Sequence, residues 1–261
     1  MPDRFSVFSL FRLDGEAALV TAGGNGIGRV AAVSLAELGA KVAVTDIDGH
    51  AAEHVAAEIR AAGGDAMALT LDVSDERAIV AAVEKVHGAF GRIDVLVNNA
   101  GITKRIPTEE LALEDWRRVL DVNITAAFLT SREVGRHMLA AGGGRIINMA
   151  SIMGVVGNRL YGAIAYHSSK GALVNFTRGL AAEWGSRGVR VNAIAPTFVR
   201  TRMTERLRED AEMVKTIESL TPMRRFAEAE ELAGGIVYLA TRASSMVTGH
   251  ILAIDGGWLA V

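Results

Sequence analysis

Tyr166 and Lys170 stand four residues apart in YHSSK, inside a run with helical patterning, so both side chains project from one face, a single turn apart. A free phenol titrates near 10 and is a poor base at neutral pH. A neighbouring ammonium stabilises the phenolate, and lowering the pKa by one requires about 1.4 kcal/mol of differential stabilisation. The pair is therefore a candidate acid and base for an alcohol or carbonyl oxygen. Ser151, directly after the apolar run RIINM, offers a hydroxyl to the same oxygen, and Asn123 in DVNIT is a candidate anchor for a water linking Lys170 to solvent. Tyrosine and lysine at this spacing occur on many exposed helices, so the reading rests on all four residues together.

These groups need a frame. From residue 17 onward short β-branched runs alternate with longer Ala/Leu/Glu-rich segments, as when parallel strands are joined by crossover helices. The pattern predicts strands at 17–21, 41–46, 66–71, 95–98, 145–149, 190–194 and 251–254. It predicts helices at about 27–39, 50–62, 75–88, 114–122, 125–141, 166–186 and 228–241. The expected fold is α/β: a doubly wound, Rossmann-like, seven-stranded parallel sheet with helices on both faces, filling 1–261 as a single domain. Residues 1–12 are expected to form an N-terminal arm. The strandless, mixed stretch 197–227 is a candidate lid over a substrate.

The candidate chemistry gathers at the carboxyl ends of the strands, where open α/β sheets bind ligands. The first strand leads into TAGGNGIG and a helix. There Gly23, Asn25, Gly26, Ile27 and Gly28 would bring backbone N–H groups up to a pyrophosphate at a helix N-terminus. A tight packing turn would look the same, so the support of Asp46 matters: it ends the second strand, where a carboxylate can accept from the adenosine ribose hydroxyls and would repel a 2′-phosphate. The expected cofactor is NAD(H), ahead of NADP(H), and a bound nicotinamide's positive charge would further favour the Tyr166 phenolate. Asp72 and Val73 follow the third strand, and Asp72 would face the adenine edge. After the fourth come Asn98, which together with Asn99 can tie neighbouring loops, and the small pair Ala100 and Gly101, which lets a cofactor lie close to the backbone.

Composition limits the alternatives. Half of the 261 residues are apolar and 22% are charged, enough to bury a substantial core, and a formal charge of −2 with dispersed basic residues gives no field for nucleic acid or an anionic membrane. With no cysteine there are no disulfides and no thiolate-bound metals, which suits a reducing, cytoplasmic setting. No apolar run approaches the length of a membrane span, the six histidines have no metal-ligand spacing, and no nucleophile elbow surrounds a serine. The expected partner is a small-molecule substrate, with no nucleic acid, membrane or metal.

Taken together, TAGGNGIG, Asp72-Val73, NNAG, Asn123, Ser151, YHSSK, RVNAIAP and the closing IDGGW resemble the short-chain dehydrogenase/reductase family over about residues 13–258. The resemblance implies that Asn123, Ser151, Tyr166 and Lys170 form a catalytic tetrad with Tyr166 as acid/base. It implies that the segment from Pro196 passes the nicotinamide, with Thr201 where the family's carboxamide-binding threonine is expected, and that the chain forms homotetramers through two long helices and the last strand. Two positions depart from the family pattern: Ala22 replaces a glycine of the first turn, and Thr197 replaces the glycine after Pro196. The stretch from Ser151 to Tyr166 is two residues longer than the commonest spacing, similar to polyol dehydrogenases of the galactitol and sorbitol type, with Asn158 and Arg159 adding hydrogen-bonding capacity. Arg105 in GITKRIP resembles an arginine of gluconate 5-dehydrogenases and 2-deoxygluconate dehydrogenases, able to grip a carboxylate in a bidentate pair; a plain surface arginine is the other reading. The expected reaction is hydride transfer between NAD(H) and a secondary alcohol or ketone, on a sugar acid or polyol. The rivals are a 3-oxoacyl thioester reductase and, from another class, a non-catalytic dinucleotide sensor or scaffold.

Overall fold

In the computed structural model, which describes residues 6–261, seven parallel strands run in the order β3-β2-β1-β4-β5-β6-β7. They are β1 (Ala17–Val20), β2 (Lys41–Asp46), β3 (Ala66–Thr70), β4 (Val95–Asn98), β5 (Gly144–Met149), β6 (Val189–Pro196) and β7 (Ile251–Ile254). The central strands are buried on both faces: every residue of β1 and β4 is buried. That is why they appear as unbroken apolar runs and not as alternations. The chain builds outward from β1 to β3, then returns to lay β4 against β1, so the topological switch lies between these two strands, above the carboxyl ends that carry the candidate site.

One face is covered by α1 (Gly26–Glu37), α2 (Gly49–Ala61) and α9 (Ala233–Ala240), whose Leu35, Val55, Ile59 and Ile236 join the sheet's Val42 and Val97 in one cluster. The other carries α3 (Glu76–Phe90), α5 (Ala126–Ala140) and α6 (Ile164–Trp184), with Ile79, Val83, Met138 and Trp184 in a second. Helix starts follow local chemistry. Asp48 accepts from the N–H groups of His50 and Ala51 to open α2, Asp75 does the same for α3, and Gly91 ends α3 in the left-handed region at φ 77°.

Three stretches differ from the sequence expectation. The predicted break between helices 114–122 and 125–141 is absent: α4 (Leu113–Leu120) runs through a π turn at Asp121–Thr125 into α5, which absorbs one extra residue without ending the helix. The strandless stretch 197–227 is more ordered than expected. It holds α7 (Glu205–Arg208) and α8 (Ala211–Leu220), Asp210 caps the latter, and Phe198, Leu207, Ile217 and Phe226 pack with Ile152 and Met153 in a small core of their own. Of the N-terminal arm, residues 1–5 lie outside the described residues. The rest forms a 3₁₀ turn at Val7–Phe11, tied down where Arg242 donates to the Ser9 carbonyl at 3.0 Å.

Candidate active site

The strand ends open onto a cavity of about 450 Å³. Of the turn residues, Asn25, Gly26 and Ile27 line it, together with Ala22. Gly23 and Gly28 lie behind, and Gly28 is irreplaceable on geometry: a Cβ there would stand 2.0 Å from the Ala22 carbonyl oxygen and 2.6 Å from Asn99 Nδ2. Asn99 fixes the turn from the other side, its amide donating to the carbonyls of Thr21 (3.1 Å) and Ala22 (3.0 Å). Asn98 is buried in a relay to Ser131 and Asn148, both at 2.9 Å, so it joins helix to sheet and does not face the cavity.

Asp46 borders the cavity at the end of β2 with both oxygens engaged, Oδ2 accepting from Gly24 N–H and Oδ1 from Asp48 N–H, each at 3.0 Å. The carboxylate is thus aimed by the backbone, with lone pairs left for a ligand. Asp72 and Val73 do not line the cavity. Asp72 accepts from the hydroxyl and N–H of Ser74, which hold its carboxyl below the usual range, and Val73 is buried in the sheet's second cluster.

The four candidate catalytic residues converge. Ser151, in extended backbone after β5, opens a 3₁₀ turn, and its Oγ accepts from Met153 N–H at 3.1 Å, which leaves the hydroxyl proton free for a substrate oxygen. Tyr166 and Lys170 occupy adjacent turns of α6 and both line the cavity, with Lys170 Nζ 5.7 Å from the phenol ring centroid. Asn123 lies in the π turn behind them, where the extra residue carries its amide toward Ile102, accepting from its N–H (2.8 Å) and donating to its carbonyl (3.0 Å) and to Ser169 Oγ (2.9 Å). A Cβ built on Gly101 would lie 3.4 Å from both Asn123 Oδ1 and Lys170 Nζ, so these groups share one small space.

Lys170 donates to the Met149 carbonyl at 2.6 Å, and burial pulls its ammonium down to about 8. Burial also pushes the Tyr166 phenol up, with the Ser151 hydroxyl pulling the other way. Desolvation thus opposes charge on both partners, and a cation beside the phenol acts against it.

At the other end, Arg105 lines the cavity with its guanidinium 5.1 Å from the Tyr161 ring centroid, donating to the Met203 carbonyl at 3.1 Å. Its Nε is buried without a protein partner. Asn158, expected to face substrate, does not line the cavity. Its oxygen accepts from Leu160 and Tyr161 N–H, and its Nδ2 reaches Met153 Sδ and His167 Nε2. Asn158 shapes the loop, while Ile152, Met153 and Tyr161 reach the cavity from it, none of them singled out by the sequence. Pro196, Thr197 and Thr201 border the cavity, as does Gly101, whereas Ala100 does not line it.

A dinucleotide fits these residues. The glycine turn presents the start of α1, and Gly26 is so close to Thr201 that a Cβ would stand 3.2 Å from its methyl. Among the described residues no cluster of His, Cys, Asp or Glu could hold a metal ion, and no helix is long and apolar enough to cross a membrane.

Comparison with known proteins agrees with this geometry. A family model described as enoyl-(acyl carrier protein) reductase matches residues 21–259. D-threitol dehydrogenase of Mycolicibacterium smegmatis is 43% identical over 248 residues, covering 95% of this chain and 94% of its own. Gluconate 5-dehydrogenase of Gluconobacter oxydans is 38% identical over 95% and 96%. The crystal structure of a gluconate 5-dehydrogenase from Burkholderia cenocepacia in complex with NADP and tartrate is 34% identical with a TM-score of 0.94, over 98% of this chain and all of that one. The chain belongs to the short-chain dehydrogenase/reductase family. Within it, this protein is an NAD(P)-binding oxidoreductase that interconverts alcohols and ketones.

Proposed function

We propose that the enzyme is an NAD⁺-dependent dehydrogenase of polyhydroxylated substrates, with a sugar acid seated so that its carboxylate meets Arg105. The observation that carries this reading is the buried, unpartnered Nε of Arg105 at the wall of the cavity that holds Ser151 and Tyr166. A guanidinium with one main-chain bond keeps donors for a carboxylate, which it recognises through two parallel bonds. The same wall accepts a neutral polyol without that anchor.

A nicotinamide dinucleotide held along the glycine turn, Asp46 and Thr201 would supply the acceptor for the hydride of the alcohol carbon. Ser151 donates its hydroxyl proton to the substrate oxygen and holds it beside the phenol. Tyr166, as the phenolate that the Lys170 ammonium and the charge of a bound nicotinamide would stabilise, takes the alcohol proton as the carbonyl forms. Lys170 holds positive charge next to that phenol, and Asn123 positions a water through which the proton leaves. Residues 197–227 serve as the lid, which suits their separate small core. For the coenzyme, Asp46 puts a carboxylate at the ribose end and residues 42–59 contain no lysine or arginine, a setting that favours NAD⁺ over NADP⁺. Assembly into a homotetramer through α5, α6 and the edge strand β7 belongs to the same reading, supported by the exposed Phe128 on α5 and the unpaired outer edge of β7.

The test is turnover of matched aldonates and polyols with NAD⁺ or NADP⁺, followed at the NADH absorbance band. Aldonate oxidation with NAD⁺ is expected, and Tyr166→Phe should lower it by about 10³-fold or more while coenzyme still binds. Preference for an acyl thioester with NADPH would replace this reading with the thioester-reductase one. Tight NADH binding without turnover of any carbonyl would make the protein a sensor.

A further inference from the structure

Thr197 has a property that neither the proton transfer nor the carboxylate site uses. It follows β6 directly, its N–H donates to the Ile254 carbonyl at 3.2 Å, and its side chain lines the cavity. Its hydroxyl oxygen is buried, yet no donor or acceptor of the protein reaches it. Other buried threonines behave differently: Thr130, Thr177, Thr204 and Thr221 each donate to a main-chain carbonyl at 2.6–2.8 Å. A buried hydroxyl left unpaired opposes folding, so a fold that keeps one at the lip of a ligand cavity points to a partner brought by the ligand.

The position of Thr197 says which part of the ligand this is. On one side the register pairs Met149 with Ile194, so two residues further along each strand Ser151 and Pro196 reach the same edge, beside the substrate-oxygen site. On the other side the same segment reaches Thr201, whose methyl closes on Gly26 of the phosphate turn. Between a pyrophosphate at that turn and a substrate oxygen at Ser151 and Tyr166 must lie the nicotinamide half of the coenzyme, and Thr197 occupies this interval. We propose that the Thr197 hydroxyl is a positioning group for the nicotinamide half, forming with its carboxamide the hydrogen bond that the protein itself omits. A hydroxyl suits either end of a carboxamide, since it donates to the oxygen or accepts from the nitrogen. A glycine at this position would offer no such bond, so the residue adds an anchor of this chain's own. The inference needs only that the enzyme binds a nicotinamide dinucleotide, and is independent of which alcohol it oxidises.

Two ligands separate the halves of the coenzyme: NADH, and ADP-ribose, which keeps the pyrophosphate and both riboses but has no nicotinamide. Thr197→Val removes the hydroxyl at nearly constant shape and Thr197→Ser keeps it. By fluorescence and calorimetric titration, Val should weaken NADH binding about 3–10-fold, consistent with the loss of one hydrogen bond. ADP-ribose affinity should stay within about twofold, and Ser should restore NADH binding. The melting temperature of ligand-free Thr197→Val should be unchanged or higher, because no protein hydrogen bond is lost. A melting temperature several degrees lower, or NADH and ADP-ribose weakened alike, would assign the hydroxyl a structural role and overturn the proposal. Unchanged NADH binding with a raised KM for the alcohol would overturn it in favour of a substrate contact. Should Thr197→Val not fold, Thr197→Gly carries the same expectations for the two ligands.

Discussion

The two ends of the cavity are built on opposite principles. At the nucleotide end nearly every polar group is already engaged: both Asp46 oxygens take main-chain donors, Asn99 spans two carbonyls of the glycine turn, and Thr21 Oγ1 accepts from Asn99 and Ala100 N–H. Beyond it, where nicotinamide and substrate would meet, the pairing is incomplete. Among the described residues, the buried side-chain polar atoms without a partner are Arg105 Nε and Thr197 Oγ1, whose residues line the cavity, and Arg208 Nε, whose residue does not. The pyrophosphate and adenosine side is met by a backbone cradle that needs no adjustment, whereas the reacting side is met by side chains whose last bonds await the ligand.

This contrast can be broken at its rigid end first. Gly28→Ala drives a Cβ into the Ala22 carbonyl at 2.0 Å, a backbone atom that cannot yield without moving the turn. It is expected to cost about 3 kcal/mol or more and to lower the melting temperature by roughly 6–12 °C. NADH binding should be lost along with turnover of every substrate; retained NADH affinity would show that the turn is more adaptable than its packing implies.

At the substrate end the effect should be selective. Arg105→Met keeps an unbranched apolar stem but removes the guanidinium over Tyr161 and its charge. Losing a charge-assisted pair worth about 1.5–3 kcal/mol should raise KM for an aldonate roughly 10–100-fold. The matched polyol should change by less than about threefold, and NADH affinity not at all. Equal losses for aldonate and polyol would mean that Arg105 acts by holding the Met203 carbonyl, not by meeting a carboxylate.

The same division governs what could be read from the residues alone. Strands β2, β4 and β7 have the boundaries expected for them: β2 and β4 because strands buried on both faces leave nearly unbroken apolar runs, and the half-buried edge strand β7 because its apolar run stops at Asp255. The nucleotide end was legible for a related reason: Gly28 and Asp46 act through backbone geometry tied to a strand end. The helix across DVNIT was obscured because Asp, Asn, Ile and Thr are poor helix formers, while tertiary packing held the chain in a π turn. Tyr161 had no periodicity to reveal it, and Asn158 looked free because nothing in the sequence shows that its amide is spent on Leu160, Tyr161 and His167. Side chains displayed from irregular loops become interpretable only once their partners are known.

A third measurement sharpens the boundary between the ends, where Lys170 lies. Burial holds its ammonium at about 8, against 10.5 for a free lysine. Below pH 8 both folded and unfolded chains carry the proton, and the penalty of burying it is fully present. Between pH 8 and 10.5 the unfolded chain binds the proton more strongly, so stability should rise with pH by on the order of 3 kcal/mol. Lys170→Met should remove this rise from a series of melting temperatures in ligand-free protein. Persistence of the rise in the variant would assign it to other groups.

The smallest expected effect returns to the glycine turn. Ala22 has φ 50°, in the left-handed region, where a Cβ crowds the following carbonyl at a cost of roughly 1–2 kcal/mol. Glycine at this position relieves the crowding but adds freedom to the unfolded chain, which offsets about 0.4–1 kcal/mol. Ala22→Gly should therefore gain about 0.5–1 kcal/mol, raising the melting temperature by roughly 1–4 °C. Because Asn99 holds the Ala22 carbonyl from one side and Gly28 packs under it from the other, the turn should keep its shape and NADH affinity should stay within about twofold. A higher melting temperature together with a large change in NADH affinity would mean that the alanine sets the phosphate cradle's geometry, and that the nucleotide end is itself tuned by a side chain.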